Sequence, residues 1–112
     1  MLFRSGNETI GLIYNTQTVQ LLSEAGIGTP SSTAAARQPI RYKLRPIELP
    51  IGNDFYLYNS HYKASDTTSD RSRRNAEAIA IRTDSNSLGS ANIIYAGDFN
   101  LKTSTEIGRA HV

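Results

Sequence analysis

Between residues 55 and 96 the periodicity of the sequence changes twice, and this narrows the available folds more than anything else in the chain. Phe55-Tyr56-Leu57-Tyr58-Asn59-Ser60-His61 is rich in aromatics and follows a Gly52-Asn53-Asp54 turn, which marks a strand. Asp66-Thr67-Thr68-Ser69-Asp70 is a polar loop whose Ser69 or Asp70 is expected to cap a helix. In that helix Ala76, Ile79, Ala80 and Thr83 fall at i, i+3, i+4 and i+7, a narrow apolar stripe, and Gly89 is an end signal. Asn92-Ile93-Ile94-Tyr95-Ala96 is short and nearly all apolar, the composition of a strand covered on both faces. Strand, helix, strand in this order means a sheet with a covering helix, so the class is α/β rather than all-β.

The rest of the chain is consistent with that class. Residues 10–22 read as two strand-like stretches around a polar Asn15-Thr16-Gln17 turn. Gly26 to Ala36 lacks periodicity and reads as a loop. Ile40 to Arg45 alternates apolar and basic residues, as a half-exposed strand does, and Pro46 and Pro50 restrict pairing beyond it to an edge or a strand end. With 112 residues there is room for one small domain, and at 38% hydrophobic content little apolar material is spare for its core. No apolar run approaches the ~18–20 residues that span a bilayer. Residues 1–6 carry no export signal. With no Cys and two His, a disulfide scaffold, a thiolate zinc site and a His-rich metal cluster are excluded. A metal would be held by carboxylates, which favours Mg²⁺, Mn²⁺ or Ca²⁺. The net charge of +2 is too weak a bias to argue for a nucleic-acid partner by itself.

Two groups of polar residues stand where strands end. With a side-chain period of two, Phe55, Leu57, Asn59 and His61 share a face, so an apolar strand delivers His61 at its C-terminal end. Asp98 and Asn100 follow the second strand, with Gly97 letting the backbone turn. Ligand sites in open α/β sheets gather beyond the carboxyl ends of strands. A carboxylate, a carboxamide and an imidazole there can orient water and donate to phosphate oxygens. The plain alternatives stand beside this: a hydrogen-bonded structural His, and Gly-Asp-x-Asn as an ordinary turn. Arg37, Arg41, Lys43 and Arg45 read as a solvated strand face. Arg71, Arg73 and Arg74 crowd a helix start, where the macrodipole disfavours cations, and read as a solvated end or a group facing an anion. Tyr14, Tyr42, Tyr56, Tyr58 and Tyr62 read as core or rim aromatics.

Strand-ending His61, a helix carrying Arg74, Glu77, Ala78 and Ile81, and Ile93-Ile94-Tyr95-Ala96-Gly97-Asp98-Phe99-Asn100, taken in this order, resemble the endonuclease/exonuclease/phosphatase superfamily. Tyr58 to Ser65 is most similar to a bacterial branch whose members are often exported. The resemblance spans about residues 8–106 and implies a two-sheet α/β sandwich of the deoxyribonuclease-like type, incomplete at both ends. It implies a divalent-metal-dependent phosphoesterase or nuclease-like hydrolase, with Mg²⁺ (or Mn²⁺ or Ca²⁺) as cofactor. Asp98 would orient or deprotonate the attacking water near the metal, Asn100 would contact the scissile phosphate, and His61 would contact phosphate or donate a proton. Arg37 of Arg37-Gln38-Pro39 would reach a phosphate, and Glu8 would partner the His. The substrate would be a phosphate ester, either a nucleic acid or a phospholipid headgroup. The other reading is a non-catalytic interaction module that keeps the fold within a larger exported protein.

Family members also carry an upstream Asn and metal-binding Glu, and a closing Ser-Asp-His-like motif. Neither is found in these residues, and His111 follows Asn100 too closely to serve. The expectation is therefore that residues 1–106 are an internal part of such a domain. Glu106 to Val112 back-translates as GAG ATC GGA AGA GCA CAC GTC, similar to a sequencing adapter, so residues 107–112 are expected to be a non-native tail, with Glu106 straddling the junction.

Overall fold

The structure is a computed structural model that describes residues 2–5, 8–28 and 37–106, with side chains from Ile10 onward. Of the expected loop from Gly26 to Ala36, residues 29–36 lie outside the described residues, as does the expected tail at 107–112, whereas Gly26 itself ends a strand. Strands β1 (Leu2–Ser5) and β2 (Glu8–Gly11) form an antiparallel pair. A four-stranded sheet follows in the order β3-β4-β5-β6, built from Val19–Gly26, Ile40–Pro46, Phe55–His61 and Asn92–Asp98. Its first three strands run antiparallel. β5 and β6 are parallel, joined by helix α1 (Thr68–Ser87), as a parallel connection requires. Among the described residues no helix is long and apolar enough to cross a membrane.

The period-two alternation in β4 and β5 separates two cores. Ile40, Tyr42 and Leu44 are buried on one face with Ile10, and Phe55 and Leu57 pack against them. On that face Asn59 Nδ2 donates to the Gly11 carbonyl at 2.7 Å and ties β5 to β2. Tyr58 points the other way, into a cluster with Ile27, Tyr62, Ala78 and Ile81 under α1. Hairpin, sheet and helix thus form successive layers of a two-sheet α/β sandwich.

The basic residues of β4 are ion-paired rather than simply solvated. Arg45 holds Asp54 through two bonds of 2.7 and 2.9 Å. Asp84 of α1 accepts both Arg41 Nη1 and Tyr58 Oη, each at 2.6 Å, and so fastens helix to sheet. Tyr58 is fully buried. Asp84→Ala should strand its hydroxyl and cost about 3 kcal/mol in urea unfolding, whereas Tyr58→Phe should cost about 1 kcal/mol.

Helix α1 starts two to three residues earlier than the sequence suggests. Thr67, not Ser69 or Asp70, is the cap: its Oγ1 accepts the Asp70 amide at 3.1 Å, and Asp70 accepts the Thr67 amide at 3.0 Å. This reciprocal box satisfies two otherwise orphaned donors. The hydrogen bonds from Thr67 are the main cause holding the Asp70 carboxyl down at about 2. A depressed carboxyl stabilises the fold above its unfolded value of about 4, and that support is lost as pH falls toward about 2. The melting temperature should therefore drop across this acid window. Thr67→Ala should cost about 1 kcal/mol and make the drop shallower.

The buried face of α1 also differs from the apolar stripe. Asp70, Arg74, Glu77, Ala78, Ile81 and Ser85 face inward, while Ile79 is 56% exposed. Charged residues occupy the inner face because each finds a partner there, a pattern that hydropathy does not detect. The strand at 92–96 was expected to be covered on both faces. Instead Ile94, on the same sheet face as its register partner Leu57, is 50% exposed, and β6 is an edge strand among the described residues.

Candidate active site

His61 and Asp98 are register partners at the C-terminal ends of the parallel strands β5 and β6. Parallel pairing makes both strands end at one edge, so two residues 37 positions apart emerge side by side. His61 Nε2 lies 3.8 Å from Asp98 Oδ2, with the side chains 39% and 63% exposed. Open to water, the pair contributes little to stability and is free to meet a ligand.

Gly97 makes this edge possible. Its φ is +131°, and a Cβ there would fall 1.9 Å from the Ser60 carbonyl oxygen. The close approach lets the Tyr62 amide donate to the Asp98 carbonyl at 2.9 Å, extending contact between the strands past their ends. Asp98 Oδ1 then accepts the Asn100 amide at 2.9 Å, and Asn100 takes φ +49°. Asx turns and left-handed Asn are natural partners. The segment is therefore an ordinary turn in conformation, and that turn is what aims the carboxylate. Asn100 Nδ2 donates to the Tyr62 carbonyl at 3.0 Å, which leaves its second N–H for another acceptor.

The structure brings His61, Asp98 and Asn100 to one edge of the sheet. Arg37 precedes β4, which runs antiparallel to β5, so it stands at that same end of the sheet, half-buried. Glu8 lies in β2 opposite Ser5, and its side chain is outside the described set. Among the described residues no three His, Asp or Glu side chains converge on a metal position. Magnesium needs only one or two protein carboxylates when water and substrate phosphate complete its shell, so Asp98 fits as a single ligand.

A pairing that sequence reasoning missed, that of Arg74 with Glu106, lies just behind the edge. Arg74 is 2% exposed and bonds Glu106 through two contacts of 3.1 and 3.0 Å. It is neither solvated nor directed at an anion from outside. Its neighbour Arg71 is held by Asp66 at 2.8 and 2.9 Å. The signal available was the spacing of Arg74, Glu77, Ala78 and Ile81, which places all four on one helix face.

No protein-family model and no curated protein matches the sequence significantly. Solved structures share its fold. Humanized D. rerio TDP2 superposes with a TM-score of 0.68 at 17% identity, covering 99% of this chain and 43% of that one. D. rerio TDP2 complexed with a single-strand DNA product gives 0.66 at 15%, covering 98% and 42%. The human Nocturnin catalytic domain with bound sulfate gives 0.62 at 21%, covering 80% and 33%. The chain thus spans less than half the length of these proteins.

Proposed function

We propose that the chain forms the central part, residues 1–106, of a divalent-metal-dependent phosphoesterase that hydrolyses phosphodiester or phosphomonoester bonds with an activated water. The observation that carries this is the meeting of His61, Asp98 and Asn100 at the carboxyl ends of adjacent parallel strands. Asp98, held by the Asn100 amide through one oxygen, keeps the other for a water or an ion. Mg²⁺ bound there would supply positive charge to the phosphate. Asn100 keeps one N–H for a phosphate oxygen, and His61 can donate to another or to the leaving group. Arg37 stands at the same sheet end to hold a phosphate.

A sulfate bound to one structural neighbour and a DNA strand in another favour an anionic ester, with nucleic acid ahead of a phospholipid headgroup. The test is hydrolysis of bis(p-nitrophenyl) phosphate with Mg²⁺ by the product of the full reading frame. Asp98→Ala is expected to lower kcat about 10³-fold. Near-full activity in that variant removes Asp98 from the chemistry. No activity in the unaltered protein leaves an interaction module as the reading.

A further inference from the structure

We propose that the buried Arg74–Glu106 pair, together with Glu77, is a clasp that aligns the segment carrying His61 with the segment carrying Asp98 and Asn100, so that these three are positioning residues of the site. The kinetic part of the proposal rests on the phosphoesterase reading, and the structural part does not.

Arg74 spends its guanidinium on both segments at once. Nε and Nη2 donate to the Glu106 carboxylate, and Nη1 donates to the carbonyls of Lys63 and Ser65 at 2.9 and 2.7 Å. The Lys63 amide donates to Glu77 Oε2 at 3.0 Å, and the Lys102 amide donates to Glu106 Oε2 at 3.1 Å. The turn after β5 and the turn after Asn100 are therefore both anchored to the first half of α1. Both anchors lie a few residues from the site. Close packing supplies part of this alignment, since the Tyr62 ring meets Phe99 edge-on at 5.2 Å. Beyond that contact a pocket of about 250 Å³, lined by Tyr62, Asn75, Ala78 and Leu101 among others, lies between helix and turn, and there the Arg74–Glu106 bonds are the tie. A buried ion pair adds little net stability over an apolar pair of the same size, so its distinctive effect here is geometric. Displacement of a reacting group by about 1 Å can cost about 10²-fold in rate, which gives the clasp a catalytic consequence at a distance.

The decisive variant is Arg74→Met with Glu106→Leu, in which apolar groups replace the pair and the fold is expected to persist. Amide exchange then reads the alignment without any substrate. The Tyr62 and Asn100 amides, which bond Asp98, should exchange at least about 10-fold faster, with Ile81 in α1 little changed. Unaltered exchange at Tyr62 and Asn100 in the folded variant overturns the proposal. In the full-reading-frame protein, kcat should fall about 10²-fold with KM nearly constant, and a wild-type kcat overturns the kinetic role. If the unaltered protein shows no hydrolysis, the phosphoesterase reading fails while the exchange result still decides the clasp. Should the double variant not fold, Glu106→Gln is read by the same exchange criterion.

Discussion

Gly97→Ala is expected to remove more than about 4 kcal/mol of stability, enough to unfold most small domains at room temperature. Two costs combine. At φ +131° any side chain is strained, worth about 1–3 kcal/mol by itself. The new Cβ would also fall 1.9 Å from the Ser60 oxygen and within 3 Å of its carbon and nitrogen, so the obstacle is backbone and cannot rotate aside. Relief requires β5 and β6 to part where Ser60 pairs with Gly97, beside the His61–Asp98 pair. Urea unfolding measures the loss. A midpoint close to that of the unaltered protein would show that the strands do not approach so closely. A smaller local failure, with the fold retained, should appear as loss of protection at the Tyr62 amide.

Substitution of Asp98 separates charge from conformation. Asp98→Asn keeps an oxygen able to accept the Asn100 amide, so the turn should survive and the melting temperature should hardly move. Asp98→Ala loses that bond as well, at a cost of about 1 kcal/mol. If the carboxylate orients water or binds the metal, both variants should lose about 10³-fold in kcat despite their different stabilities. An Asn variant with near-full activity would mean that Asp98 serves the turn alone. With 63% of its side chain exposed, Asp98 is open to solvent, so this substitution carries little packing penalty to confuse the result.

The edge carrying His61 and Asp98 was legible because its signals are local. The aromatic run of β5 has the bounds Phe55–His61 in sequence and structure alike. Gly97 before Asp98 marks a turn whatever surrounds it, and a helix between two strands implies that they run parallel and end together. The helix face was misread for an equally physical reason. Hydropathy assigns charged residues to water, and α1 buries Arg74 and Glu77 against partners that the local sequence does not contain.

Residues acting over a few positions, through side-chain alternation, capping and turn chemistry, were enough to define an α/β chain with a polar cluster at two strand ends. Burial of Arg74 depends on Glu106, 32 residues away, and the pairing of Tyr58 and Arg41 on Asp84 depends on where the helix settles on the sheet. Those placements belong to the assembled layers, because a charge is stable inside only when folding has already brought its counterpart there.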